Sequence, residues 1–374
     1  MIIKKTLTIL ACIILLISCT EIYSPQIDSK AEALVVEGLV TNEDGPFVIK
    51  LSKANLYNST GTASYVEGAK LTIIDNHNQS FMLTDNKNGN YYIPYDFKAK
   101  TGDSYILHIE TADGDIYESH PQTMLPAQSF DSIYGVHTTN SYIDRNKQLV
   151  NVIGSNINVD LFKNTENTDS APVCRFKSTM TVQYEYWEDI DPIYYWVHKC
   201  WKNVSLNENT NITEDNSKKS NRNIKEHTVC FTPIGMEKYG LNQPLGYKST
   251  LYYLRIDQYT INQNTYNFYK EANKQLSTSG KVFDPIASQL VGNISCINNT
   301  SKIALGFFEI SSVTHSAIII YQTINESRVN IYKVSYLMIT DGEVKYMQKK
   351  TRMTPEEMND PVFQDNTPSW FYHF

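Results

Sequence analysis

The chain has 374 residues, 41% of them hydrophobic and 20% charged, with a formal net charge of -7. That hydrophobic share supports a buried core and excludes a disordered chain, and the length admits one large or two ordinary domains. The acidic balance, without a Lys/Arg stripe, excludes a typical nucleic-acid binder, because phosphate contacts need clustered cations.

Lys4 and Lys5 precede an apolar run from Leu7 to Ile17, which ends in Leu16-Ile17-Ser18-Cys19. A basic start and a short apolar run read as a secretory signal, since a bilayer span needs roughly 20 apolar residues. The Leu-x-Ser-Cys ending resembles a bacterial lipobox. That resemblance implies cleavage before Cys19, a diacylglycerol on its thiol and, usually, an acyl chain on its amine. Residues 1–18 are then a signal peptide and 19–33 a lipidated polar tether. No second long apolar run follows Ile17, so the mature body is expected to be soluble.

Six cysteines are present. Cys12 leaves with the signal and Cys19 is committed to lipid, which leaves Cys174, Cys200, Cys230 and Cys296. An even number in an exported chain suggests two disulfides, with three connectivities open. The preferred pairs are Cys200–Cys230, closing a polar loop, and Cys174–Cys296. None shows the Cys-x-x-Cys spacing of a zinc site.

From Leu34 to about Met124 short strands alternate with Gly/Asn/Asp turns. Leu34–Val40, Phe47–Leu51, Lys70–Asp75, Ser80–Thr84, Tyr91–Ile93, Tyr105–Ile109 and Ile116–Glu118 are the expected strands. Tyr105, Leu107 and Ile109 fall on one face, and Asp113-Gly114 makes a hairpin turn. About seven strands in so short a stretch predict a β-sandwich over residues 34–125, with Val35, Leu71, Tyr105 and Leu107 in its core. Residues 126–374 then form a larger antiparallel β-rich domain. Its expected strands include Val150–Phe162, Cys174–Trp187, Tyr194–Trp201, Tyr247–Tyr259, Leu290–Ile297, Ile303–Ile310, Ala317–Tyr321 and Val329–Met338. Asn203–Glu226 reads as a long polar loop. Tyr266, Tyr269 and Ala272 stand at helical spacing within Ile261–Leu276, predicting one amphipathic helix with Thr260 as N-cap and Gly280 beyond its end. Thr354-Pro355-Glu356-Glu357 reads as the start of a second, short helix.

No Gly-x-Ser-x-Gly elbow, His-Glu-x-x-His helix or Walker loop appears. The His residues are scattered, with His108 and His198 placed on strand faces. Glu188, Asp189 and Asp191 read as a solvated hairpin tip rather than a Ca²⁺ or acid/base site. No catalytic residue, metal or cofactor is therefore expected. The best candidate surface is aromatic: Tyr184, Tyr186 and Trp187 precede that tip, and Tyr194, Tyr195, Trp196 and Trp201 follow it. Such side chains stack sugars or anchor partners when exposed, and pack as core when not.

Several motifs stand in a familiar order. They are the lipobox, Leu34-Val35-Val36-Glu37-Gly38-Leu39-Val40, Val66-Glu67-Gly68-Ala69, Gly89-Asn90-Tyr91-Tyr92, Phe130-Asp131-Ser132-Ile133-Tyr134 and Cys200-Trp201. Phe283-Asp284-Pro285, Gly292-Asn293-Ile294 and Leu305-Gly306-Phe307-Phe308 continue the series. Together they resemble the Bacteroidota lipoproteins catalogued as domain of unknown function 4249. The first domain also resembles a carboxypeptidase-regulatory or transthyretin-like sandwich through Gly89-x-Tyr91 and Tyr105-x-Leu107-x-Ile109. The resemblance implies an outer-membrane lipoprotein that assists a TonB-dependent receptor in ligand capture, with no catalytic residues to carry over. An adhesive or structural envelope protein is the alternative, and a lipid-anchored hydrolase is disfavoured. Members often end in a Cys-containing tail, whereas this chain ends Pro368-Ser369-Trp370-Phe371-Tyr372-His373-Phe374, which weakens the expected disulfide pattern.

Overall fold

The computed structural model describes residues 33–54, 64–143, 146–161, 173–189, 195–206, 210–213, 224–233, 247–277, 290, 292–322, 329–333 and 363–364. The leader, Cys19, Gly280 and Thr354–Glu357 lie outside these residues. The described chain is mainly β, in sheets that are antiparallel apart from the β1–β19 pair, with one helix. No described helix is long and apolar enough to cross a membrane.

The strands in chain order are β1 (Leu34–Val40), β2 (Val48–Lys53), β3 (Ser64–Tyr65), β4 (Lys70–Asp75), β5 (Ser80–Met82), β6 (Thr84–Asp85), β7 (Asn90–Tyr92), β8 (Ser104–Glu110), β9 (Ile116–Ser119) and β10 (Gln122–Thr123). They continue with β11 (Ser132–Ile143), β12 (Leu149–Leu161), β13 (Val173–Asp189), β14 (Tyr195–Ser205), β15 (Asn211–Ile212), β16 (Ile224–Pro233) and β17 (Tyr247–Ile261). The helix α1 (Gln263–Ser277) precedes β18 (Ile294–Cys296), β19 (Ala304–Ile310), β20 (Ser312–Gln322), β21 (Val329–Lys333) and β22 (Phe363–Gln364).

The first sandwich packs the sheet β19-β1-β2-β7-β6 against the sheet β18-β9-β8-β4-β5. Its core joins Leu71, Tyr105, Leu107 and Ile109 to Val36, Ile49, Leu51 and Tyr91. Val35 is only half-buried. Side chains alternate across a strand, so Leu34 and Val36 take the core positions and Val35 points to the other face.

This sandwich does not end near residue 125. β19 pairs in parallel with the whole of β1, and β18 pairs with β9. Ile294, Cys296, Phe308 and Ile310 complete the same core. The expected boundary at 125 is therefore corrected: two strands from the end of the second unit finish the first.

The second unit packs the short sheet β11-β12-β16 on a long sheet, β21-β20-β17-β13-β14-β22. Even-numbered positions of β13 and β17, among them Phe176, Met180, Leu254 and Ile256, meet Ile157, Val159 and Val229 in one core. The strands β11 and β16 were not anticipated, and β16 begins within the stretch read as a polar loop. On the opposite face of the long sheet, Val173, Tyr259, Ile261 and Val313 meet Tyr266 of α1. Asn262 caps that helix, its Oδ1 accepting from the Thr265 backbone N–H at 2.9 Å. Thr260, the expected cap, instead belongs to β17 and accepts from the Gln128 N–H.

The two sandwiches share a nearly continuous strand, since only Ser311 separates β19 from β20. Family-like motifs explain the close approach there. Gly306 has a positive φ of 85°, and a Cβ on it would run into the Val36 carbonyl oxygen. A Cβ on Gly292 would in turn meet the Gly306 carbonyl. Asn293, 2% exposed, spans the gap between them. Its Nδ2 donates to the Phe308 carbonyl at 2.7 Å, and its Oδ1 accepts from the Phe308 N–H at 2.9 Å.

Candidate functional site

The expected aromatic surface lies on the β13–β14 hairpin. Register pairs Tyr184 with Cys200, Tyr186 with His198, Trp187 with Val197, Glu188 with Trp196, and Gln183 with Trp201. The backbone thus brings the two aromatic stretches side by side, as the hairpin reading requires. Tyr194 and Asp191 lie outside the described residues, as do the side chains of the other aromatic residues here. His108 sits on β8, its Nδ1 3.0 Å from Oε1 of its cross-strand partner Glu118.

The expected disulfides are corrected. Cys174, Cys230 and Cys296 are free, buried thiols. Cys174 packs in the core of the second sandwich and Cys296 in that of the first, so the two cannot meet. Cys230 faces the second core too and is free, and the side chain of Cys200 lies outside the described residues. Burial pushes the Cys174 and Cys230 thiols up to about 12, far from the thiolate that reactive cysteines need.

A cavity of about 320 Å³ opens between α1 and the end of the first sandwich. Five of its lining residues come from one helix stripe: Asn264, Asn267, Phe268, Glu271 and Gln275. The spacing i, i+3, i+4, i+7, i+11 holds them on one side of a 3.6-residue helix. Thr265, Tyr266 and Tyr269 lie on a different side, and there Thr265 and Tyr266 are buried. Phe307 of β19 forms the opposite wall, its ring centroid 4.6 Å from that of Phe268. His120, Leu290, Gly292 and Asn293 close the sandwich side. The polar stripe was visible in the sequence, but the reading followed only the Tyr266, Tyr269, Ala272 stripe. Phe307 and His120 carried no such signal, because their approach to α1 depends on β19 joining β1. Among the described residues no group of three or more His, Cys, Asp or Glu is placed to hold a metal.

Two polar networks lock the sandwiches together. In the first, Arg175 of β13 donates from Nη2 to Glu309 Oε1 of β19 at 2.8 Å. Tyr269 OH donates to Glu309 Oε2 at 2.6 Å, and Ser311 Oγ to Oε1 at 2.8 Å. The guanidinium lies 4.0 Å from the Tyr259 ring centroid and 5.1 Å from that of Tyr269. Register makes Arg175 and Tyr259 cross-strand partners. Burial opposes the Arg175 charge most, yet Glu309 outweighs it and the arginine's pKa is raised. Burial drives the Tyr259 phenol up to about 12 and raises that of Tyr269, keeping both rings neutral beside the cation.

In the second network, His315 of β20 bridges the sandwiches. Its Nδ1 lies 2.8 Å from Asp257 Oδ1 of β17, its cross-strand partner. Its Nε2 lies 2.6 Å from Oε1 of Glu43, in the β1–β2 connection. Arg255 Nε donates to the same Asp257 oxygen at 2.5 Å. The hydrogen bond to Asp257 is the strongest influence on His315. With Glu43, it outweighs burial and the Arg255 charge and raises the imidazole above its ordinary 6.5. Burial pushes the Asp257 carboxyl up, but the His315 and Arg255 contacts overcome this and hold it below 3.8.

These opposite shifts set a pH window. A raised histidine contributes stability that is complete below about pH 6.5 and is lost as pH rises through its folded pKa. A depressed carboxylate contributes stability that is complete above about pH 3.8 and is lost as pH falls through its folded pKa. Urea midpoints measured from pH 5 to 9 are expected to fall on the alkaline side. His315→Gln should flatten that decline, and an unchanged alkaline slope in the variant would refute the clamp.

Searches of curated proteins and of solved structures returned no match. A family profile, described as domain of unknown function (DUF4249), matches residues 20–317. That span takes in the first sandwich, α1, the shared β19, the cavity beside them and the second sandwich up to the middle of β20; the chain belongs to the DUF4249 family.

Proposed function

We propose that this chain is a lipid-anchored, non-enzymatic protein of the Bacteroidota outer membrane that assists a TonB-dependent transporter in capturing or taking up a ligand. The observation that carries the reading is the Leu16-Ile17-Ser18-Cys19 ending of a signal-like leader, ahead of a polar segment that reaches the first sandwich at Ala33. The resemblance of its motifs to envelope lipoproteins supports it, as does a body whose two sandwiches are joined by a shared strand and two polar networks.

Lipidation comes first. Two lipid signals already give stable attachment, at about 0.8 kcal/mol per buried CH₂. Cys19→Ala is expected to release the protein from membranes or to leave it unprocessed. Retention in the membrane at unchanged mass would sink the anchor.

The transporter role needs an interface of roughly 1,200 Å² or more for a stable complex. Native membrane extraction should bring a β-barrel with the protein. Trp187→Ala is expected to weaken that association by about 2 kcal/mol or more, with the melting temperature held. A drop in melting temperature without a specific loss of partner would assign Trp187 to packing. Absence of any barrel would leave the adhesive reading in its place.

A further inference from the structure

We infer that the cavity between α1 and the first sandwich is a binding site for a neutral, polyhydroxylated ligand: one or two sugar units. This goes beyond capture of an unspecified ligand by naming a class, and it stands on the cavity alone.

The chemistry of the lining selects the class by elimination. No Lys or Arg is among the cavity's described lining residues, and the Lys274 ammonium beside it already faces Glu271 at 3.6 Å, so a phosphate or carboxylate ligand would find only the His120 imidazole there. The one carboxylate, Glu271, already has the Lys274 ammonium 3.6 Å away, which weakens its pull on a cationic ligand. A wholly apolar ligand would cover the exposed amide of Asn264 and strip it of water, at a cost for each polar group left without a partner. What remains is a neutral ligand with many hydrogen-bonding groups and some apolar surface.

A pyranose has both. Its hydroxyls donate and accept, and so do carboxamides, which present a carbonyl oxygen and two N–H donors side by side. Its C–H faces need an apolar wall, which the half-buried Phe268 ring supplies, backed by Phe307 with their centroids 4.6 Å apart. Size agrees: about 320 Å³ lies at the small end of the roughly 300–1,000 Å³ typical of small-molecule sites.

The helix has a sequence-level reason to look this way. A helix packed on one side only needs a single apolar stripe. Here Tyr266 packs on the long sheet and Thr265 and Tyr269 reach Gln122 and Glu309, while the stripe lining the cavity is kept polar except at Phe268. Asn264, Asn267 and Glu271 are exposed, and their turn toward the wall that Phe307 and Asn293 form sets hydrogen-bonding groups on one side of the cavity and an aromatic ring on the other.

The test uses the full chain in detergent, with glucose, galactose, mannose and N-acetylglucosamine as probes and triglycine as the peptide control. Saturation-transfer NMR is expected to show binding of at least one sugar at millimolar concentration and none of triglycine. Asn267→Ala and Gln275→Ala should each weaken that sugar about five- to tenfold, as loss of one or two hydrogen bonds does. Because Asn267 is exposed, its variant should melt with the parent. Silence from all four sugars, sugar binding indifferent to both alanine variants, or triglycine binding in their place would overturn the proposal. Sugar binding that persists while Trp187→Ala fails to disturb any barrel complex would sink the transporter reading and leave this one standing.

Discussion

Arg175→Met is expected to lower the stability of the folded chain by about 3–5 kcal/mol, the usual cost of leaving one member of a buried ion pair alone. Glu309 is 2% exposed and Arg175 9%, so water cannot replace the lost cation at the carboxylate. Tyr269 and Ser311 would keep donating to Glu309, but two neutral hydroxyls do not balance its charge. The double variant Arg175→Met, Glu309→Leu should recover much of the loss, since an apolar pair of similar volume is often no less stable than a buried ion pair. Urea unfolding of the full chain measures both. A single variant within about 1 kcal/mol of the parent would show that the junction does not depend on this pair.

The second large effect belongs to Gly306→Ala, expected to cost roughly 3–5 kcal/mol from backbone strain and steric conflict combined. The parallel pairing of β1 with β19 places the Val36 carbonyl where the new methyl would sit. Relief requires the strands to part, which breaks the ladder that lets the late strand complete the early sandwich. Gly114→Ala is the control. Gly114 has nearly the same φ, 84°, but nothing lies within 4 Å of a Cβ there. It should lose only the conformational part, about 1 kcal/mol. Equal losses at the two positions would mean that the β1–β19 approach is looser than described.

Both effects arise at the junction, and so does the cavity. Asn293 ties β19 to the segment before β18, and Phe307 of β19 forms the cavity wall facing α1. Loosening β19 therefore disturbs the wall against which the helix stripe is set. Gly306→Ala should weaken sugar binding in proportion to unfolding, whereas Asn267→Ala should weaken it with stability intact.

Local pattern by itself determined much of this protein. Alternation in Tyr105, Leu107 and Ile109 fixes which face of β8 is buried, because side chains on a strand have a period of two. Turn chemistry at Asp113-Gly114 sets the β8–β9 hairpin, where Gly114 adopts its positive φ. Helical spacing of Tyr266 and Tyr269 marked α1, although the cap moved from Thr260 to Asn262 once β17 claimed Thr260 for its own ladder. These features depend on neighbours a few residues apart, and their energetics are local.

Tertiary structure decided the rest. Ala304–Ile310 reads as one more strand in a run of strands, and nothing within it says that its partner is Leu34–Val40, some 270 residues earlier. That partner is chosen by the open edge of a sheet and by a core short of Phe308 and Ile310, both properties of the assembled sandwich. The same holds for Cys174 and Cys296. Counting cysteines suggested a bond, but the two thiols were divided between separate cores, and a disulfide needs Cβ atoms about 4 Å apart. Glu43 reaches His315, and Arg175 reaches Glu309, only because β19 runs on through Ser311 into β20 and so draws the two sandwiches together. Alternation along a strand is set by its own backbone, whereas the pairing of distant strands is set by which edges and cavities the rest of the chain leaves unfilled.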